Sequence, residues 1–344
     1  MIKKVLFLGN IPTEDERSIG GATVLAKSIL TFLQNNKTVD VEHLQIRTHW
    51  KRYYQLFDYI ILSIKAPFVF FKFDVISIHA TNDFHFTVAP IIWIWAKLFR
   101  KRIIYHSFGG VFYDLYKNKS KLLRFIIRNT ILKSDAIFLE TKYLVESFKN
   151  IGIKNCIWLP NAREQKLKKY PNNEFKKRFV FISRITRDKG IGEILLASEK
   201  LTTDYVVDLY GPIDNEFYSK DSFKNTKVRY RGVLKSNEVT PVLKSYDVLL
   251  LPTYYSGEGY PGIIIESLSL AIPVITTAWK SIPEIIENHK NGLLIKHRSA
   301  DELKTAILHF NQENYKAYSK AAYESFNKFN QKTVFEKLIK QYIV

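Results

Sequence analysis

Two carboxylates eight positions apart, Glu258 and Glu266, flank a turn rich in small residues. The run Val248-Leu249-Leu250-Leu251 reads as a buried strand that ends at Pro252. Ser256-Gly257-Glu258-Gly259-Tyr260 follows, and Pro261 then opens a helix, a position where its missing N–H is no loss. The backbone through Gly259, Tyr260, Pro261 and Gly262, with the positive end of the helix dipole, offers an anion a ready seat. Carboxylates are poor partners for phosphate and good acceptors for hydroxyls. An anion pocket between two of them therefore suits a sugar nucleotide, one carboxylate taking a ribose hydroxyl and the other a hydroxyl of the sugar. Ile263-Ile264-Ile265 and Leu268 mark a largely buried helix, in which Glu266 needs a partner.

A second group lies at Ser183-Arg184-Ile185-Thr186-Arg187-Asp188-Lys189-Gly190. A strand ends at Ser183, and Asp188 is a good residue to cap the helix that follows. Arg184 offers a fork of donors and Lys189 a compact charge, a pair suited to a diphosphate. Gly20-Gly21, just before the first helix, lets a ligand approach the backbone closely. Neither a dinucleotide-binding glycine fingerprint nor a P-loop occurs. His79 and His106 both end strands, and the turn Ser107-Phe108-Gly109-Gly110 offers to bring the His106 ring to a site. His43, His49, His289 and His297 show no spacing suited to a metal, and no metal site is expected. Each feature alone also has a plain reading as a solvated surface group or a satisfied structural residue.

The elements that would position these groups alternate along the 344 residues. Short apolar, β-rich runs of the kind that buried parallel strands show fall at 2–8, 39–44, 74–79, 102–106, 135–139 and 155–159. Helices are expected over 21–33, 84–99 and 141–149. From Pro160 to Lys177 the pattern lapses into prolines, asparagines (Asn172 among them) and charges, as a linker would. It restarts with strands at 178–183, 205–210, 227–230, 247–251, 273–276 and 292–295, and with helices from about Asp188 to Lys200 and from Pro261 to Leu270. After Ala300 only helix is expected. The fold class is α/β, with two Rossmann-like, doubly wound domains facing across a cleft, the first over 1–165 and the second over 175–329. In such sheets ligands bind beyond the carboxyl ends of the strands.

Lysine and arginine exceed aspartate and glutamate by 52 to 33, a net charge of +19 that favours polyanionic or phosphorylated partners. The lone Cys156 excludes an internal disulfide and fits a reducing compartment. The opening apolar run stops at Gly9-Asn10, too soon for a signal peptide. The most apolar stretch, Tyr53 to Phe73, is interrupted by Asp58, Lys65 and Pro67, so no spanning helix is expected and a cytoplasmic location is. Between Lys97 and Lys133 ten basic residues face one acid, Asp114, with aromatics from Phe99 to Phe125 interleaved. Joined to the aromatic run Phe68–Phe73, this suits peripheral attachment to an anionic membrane surface on the inner face of the cell membrane.

In this order the motifs resemble those of the retaining glycosyltransferases of family 4, with the GT-B fold, over nearly the whole chain. Glu258-Gly259-Tyr260-Pro261-Gly262-Ile263-Ile264-Ile265-Glu266 is similar to the family's Glu-x7-Glu motif. Ala271-Ile272-Pro273-Val274-Ile275, Ser183-Arg184 with Lys189-Gly190, Tyr210-Gly211, Arg231-Gly232, Leu159-Pro160-Asn161, Ile282-Pro283-Glu284 and Asn291-Gly292-Leu293-Leu294 add to it. Ala271 and Ala162 stand where the family commonly has glycine.

The resemblance implies that Glu266 holds the ribose hydroxyls and Glu258 the donor sugar. Arg184 and Lys189 would stabilise the departing diphosphate. His106 would lie beside the sugar, and Gly20-Gly21 near the phosphates and acceptor. It implies front-face transfer with retention, no metal and no cofactor beyond the nucleoside-diphosphate sugar itself, a UDP-sugar first among the candidates. A glycan or polyprenyl-diphosphate-linked acceptor in capsule, O-antigen or exopolysaccharide assembly is expected. So is a last helix, about 333–343, that returns to the first domain. Lys189→Ala is expected to abolish transfer with the fold intact. The rival readings are a nucleotide-sugar epimerase or phosphorylase on the same frame, and a basic nucleic-acid-binding protein. No nucleic-acid-binding motif supports the last, and no nucleic-acid partner is expected.

Overall fold

A computed structural model describes residues 2–15, 18, 20–50, 54–171 and 173–343, apart from the side chain of Asn82. Tyr53 and Asn172, named above in the apolar stretch and the linker, lie outside them. The chain divides into two units, Met1–Asn161 with Lys332–Val344, and Ala162–Gln331.

The first unit is a parallel sheet of β1 (Lys3–Leu8), β2 (Val39–Leu44), β3 (Val75–Ala80), β4 (Arg102–Ser107), β5 (Ala136–Leu139) and β6 (Cys156–Trp158), in the order β2-β1-β3-β4-β5-β6. Its helices are α1 (Gly21–Gln34), α2 (Tyr54–Phe70), α3 (Asn82–His85), α4 (Ala89–Leu98), α5 (Phe112–Lys117), α6 (Lys121–Asn129) and α7 (Lys142–Asn150). β3 and β5 are buried along their whole length, as continuous apolar runs require. The single helix expected over 84–99 is two, because Pro90 sits in the first turn of α4 and cannot continue a helix begun before it.

The second unit repeats the plan. β7 (Arg178–Ile182), β8 (Val206–Tyr210), β9 (Val228–Tyr230), β10 (Val248–Leu251), β11 (Val274–Thr277) and β12 (Gly292–Ile295) pair in the order β12-β11-β10-β7-β8-β9, all parallel. Helices α8 (Ile191–Glu199), α9 (Ser236–Leu243), α10 (Gly262–Ser269), α11 (Ala300–His309) and α12 (Gln312–Ser325) accompany it. The final helix, α13 (Gln331–Ile343), packs on the first unit. The Tyr342 hydroxyl lies 2.6 Å from Ser77 Oγ, and Arg102 Nε donates to the Gln341 carbonyl at 3.1 Å.

Three expectations change. Residues 162–177 are not a bare linker: Phe175 packs on Phe179, Phe310 and Tyr315, and the Tyr170 hydroxyl donates to the Lys316 carbonyl, so apolar contact holds the segment on the second unit. Asp188 does not cap a helix; it lies in a 3-10 turn, and Gly190 caps α8 instead. The aromatics between Lys97 and Lys133 are largely core: Tyr105, Phe108, Phe112 and Tyr116 are buried because β4, the turn after it and the inner face of α5 carry them.

Candidate functional site

In the second sheet the chain reverses direction of growth between β7 and β10, the switch point at which such sheets bind ligands. Arg184 and Lys189 follow β7, and Thr253 to Glu258 follow β10, so both groups singled out in the sequence meet there. Lys189 Nζ donates to Glu258 Oε2 at 2.5 Å, and Thr253 Oγ1 donates to the same oxygen at 2.8 Å. Both charged side chains are nearly enclosed, at 8% and 10% exposure. A lone buried charge is too costly to keep, so each demands the other.

Tyr255 gathers the cations. Its ring centroid lies 4.9 Å from Lys189 Nζ and 5.6 Å from the Arg184 guanidinium, within cation–π range. Trp279 Nε1 donates to the Tyr255 carbonyl at 2.8 Å and fixes the loop. Arg184 is exposed and makes no ion pair among the described residues. It lies on the wall of a cavity of about 880 Å³ with Thr186, Glu193, Tyr218, Tyr254, Tyr255 and Arg298. Thr253, Tyr255 and Arg298 carried no signal in the sequence; their part depends on the chain folding back beside β7.

The loop into α10 differs from its sequence reading in two details. Pro261 is the cap rather than the first helical residue, and Gly262 begins the helix. No side chain caps this end; the Ile264 amide donates to the Pro261 carbonyl at 3.0 Å, which leaves the Gly262 and Ile263 amides as the donors a ligand could meet. Gly259 and Tyr260 are buried, and the Tyr260 hydroxyl donates to Glu284. Tyr260 thus holds the loop with its side chain and can meet a ligand only through its backbone. Glu266 is half-buried and has the partners a buried helix requires: Thr240 Oγ1 donates to it at 2.9 Å, and Arg163 Nε lies 3.9 Å away. Arg184, Lys189 and Glu258 are thus one cluster around Tyr255, while Glu266 is anchored by other side chains.

The first unit has its own switch point, between β1 and β3. A cavity of about 240 Å³ there is lined by Gly20, Gly21, Arg47, Trp50, His79 and Phe108, among others. A Cβ on Gly20 or Gly21 would meet nothing within 4 Å, so the start of α1 is open to a ligand. His79, not His106, reaches this cavity. Its ring stacks on Phe7 at 3.8 Å, Nε2 bonds Ser77 Oγ at 2.8 Å, and Nδ1 has no partner among the described residues. The turn after β4 does not carry the His106 ring outward. That ring is fully enclosed against Phe108, Phe138 and His79, with neither nitrogen bonded.

Burial drives the His106 imidazole down to about 3 and the His85 imidazole likewise to about 3. His79 is pushed well below its ordinary value, first by burial and then by its histidine neighbours. These rings fold neutral, whereas the unfolded chain binds protons on them below about pH 6.5. For His85 and His106 the stability contribution is therefore whole above that pH and is lost as pH falls from there toward 3, by up to about 1.4 kcal/mol per pH unit for each of the two rings. His106→Phe breaks no hydrogen bond and removes one such ring. Urea titrations from pH 7 to pH 4 should show a shallower loss of stability in this variant; an unchanged slope would place the acid sensitivity elsewhere.

Among the described residues no cluster of three or more His, Cys, Asp or Glu is arranged to hold a metal ion. Among the described residues no helix is long and apolar enough to cross a membrane.

Residues 162–325 match the family model "Glycosyl transferases group 1". Over 138 residues, 39% of this chain and 33% of the relative, the chain is 32% identical to the "Putative teichuronic acid biosynthesis glycosyltransferase TuaC" of Bacillus subtilis. It is 24% identical over 308 residues, 83% of each chain, to an uncharacterized 41.2 kDa protein in the cps region of Klebsiella pneumoniae. Among solved structures, HepE of Anabaena in complex with UDP aligns with a TM-score of 0.75 over 98% of each chain at 15% identity, which shows a shared GT-B fold. Residues 162–325, which make up nearly all of the second unit, thus carry the similarity to the glycosyl transferases group 1.

Proposed function

We propose that the protein is a retaining, metal-independent glycosyltransferase of family 4 that moves a sugar from a nucleoside diphosphate to the hydroxyl of a lipid-linked glycan in cell-surface polysaccharide assembly. The buried Lys189–Glu258 pair at the switch point of the second sheet, with Arg184 beside it over Tyr255, supports this reading best. Breaking the sugar–phosphate bond leaves negative charge on the diphosphate and positive character on the sugar. Arg184, Lys189 and the start of α10 meet the first in this reading, and the fixed Lys189–Glu258–Tyr255 cluster supports little reorganisation as charge develops. Glu258 accepts a hydroxyl of the sugar, and the ribose hydroxyls go to Glu266. The acceptor hydroxyl attacks on the face the diphosphate leaves, which takes up its proton, and configuration is kept. In the first unit, Gly20 and Gly21 leave the start of α1 open to a phosphate or acceptor oxygen. His79 lines that opening, and His106 packs against it.

The uridine diphosphate assignment draws on HepE, whose structures hold UDP and UDP-glucose. The membership of TuaC in teichuronic acid biosynthesis supports the polysaccharide role.

A thermal-shift panel of nucleoside diphosphates tests the donor, and UDP should raise the melting midpoint most. Sugar nucleotides of the winning base then define the sugar, and the anomeric coupling in the product's NMR spectrum reports retention. Glu266→Ala should weaken UDP binding roughly ten- to hundredfold, the range expected for hydrogen bonds to a charged acceptor. A chain whose midpoint no nucleotide moves would refute the proposal.

A further inference from the structure

Helix α2 is apolar on two opposite sides. Tyr59, Leu62, Ala66 and Phe70 are buried, the stripe that a helix resting on a sheet needs. The other stripe, Phe57, Ile60, Ile64 and Phe68, continued by Phe71 just beyond the helix, faces outward at 53% to 73% exposure. α4, which packs on α2, does the same: Ile92 and Ala96 are buried, while Ile91, Ile94 and Leu98 are exposed. A helix that is apolar all round belongs inside an apolar medium, and neighbouring stripes of this size mark an interaction surface.

Charge identifies the medium. The one acid in α2 is Asp58, which is buried and accepts hydrogen bonds from the Thr48 and His49 amides; α4 has none. Lys65, Lys72 and Arg100 are exposed around the apolar stripes. A second copy of the chain on this face would set basic rims against each other, whereas anionic lipid headgroups complement them. α2 has 17 residues and keeps one side in the core, so it can lie in the plane of a bilayer surface but not cross it.

We infer that the α2–α4 face is the docking surface for an anionic lipid bilayer, with the Phe57–Phe71 stripe at the acyl boundary and Lys65 and Lys72 on headgroup phosphates. This centres the contact on α2 and α4 and takes in only the start of the basic stretch Lys97–Lys133, through Leu98 and Arg100; most aromatics of that stretch are core. The inference goes beyond the transferase reading and requires neither donor nor acceptor.

Co-sedimentation of the full chain with vesicles tests it. With vesicles of equal phosphatidylglycerol and phosphatidylcholine at low salt, the protein should pellet. The triple variant Ile60→Gln/Ile64→Gln/Phe68→Gln should partition at least about tenfold less. Lys65→Glu/Lys72→Glu should weaken binding to the anionic vesicles and leave binding to pure phosphatidylcholine unchanged. Because all five side chains are exposed, both variants should keep the melting midpoint and any nucleotide-induced shift, which separates loss of docking from failure of the transferase assignment. The inference is overturned if the unsubstituted protein stays in the supernatant with anionic vesicles, or if the triple variant pellets equally. A dimer in sedimentation velocity that the triple variant converts to monomer would also overturn it, naming a second copy as the occupant.

Discussion

Lys189→Ala should lower turnover by about 10²–10³, the usual effect of removing a preorganised donor from developing charge. It should also destabilise the protein by about 3–5 kcal/mol, because Glu258 would remain buried with its charge uncompensated. The second effect corrects the expectation, drawn from the sequence, that the fold would survive the change intact. Lys189 is not a free surface cation awaiting phosphate; it is enclosed and bonded to the carboxylate that was assigned to the sugar. The two effects separate in the double variant Lys189→Met/Glu258→Leu, which removes both charges at similar volume. It should recover most of the stability in a urea titration while turnover stays lost. Turnover in Lys189→Ala within a few fold of the unsubstituted enzyme would remove Lys189 from the chemistry. Equal instability of the single and double variants would mean that packing, not charge, holds the site.

Gly190→Ala should be nearly as damaging although it deletes no functional group. Gly190 caps α8 with φ 79°, a left-handed conformation that L side chains adopt only with strain. A Cβ there would stand 2.4 Å from the Pro252 carbonyl oxygen, at the end of β10. Backbone meets backbone at that point, so no side chain can turn aside. Strain and displacement together should cost about 2–4 kcal/mol, read as a lower urea midpoint with an unchanged slope. Because Lys189 precedes this glycine, a shifted α8 should also carry the ammonium away from Glu258, and turnover should fall with stability. A variant with the native midpoint would show that the approach of α8 to β10 is looser than this geometry requires.

Much of the site was legible because its residues stand at strand ends, and strand ends are local events. The runs at 179–182 and 248–251 are apolar without interruption since their strands are buried on both faces, and the polar loops after them had to be where chemistry could occur. The same logic pointed to Gly20-Gly21 and, without separating them, to His79 and His106. What the sequence did not disclose depends on which strands lie side by side. β7 and β10 are neighbours although two strands intervene in the chain, and only that adjacency joins Lys189 to Glu258, 69 residues away, and sets Tyr255 beneath both cations. Strand order likewise turned His106 into the core behind His79, and the packing of β4 and α5 buried aromatics that had read as a surface. Whether an apolar residue on a helix faces the sheet or the solvent follows from where the helix comes to rest. For that reason the stripe of α2 that pays no visible role in the core was distinguished from the buried one only by the tertiary structure, through its exposure.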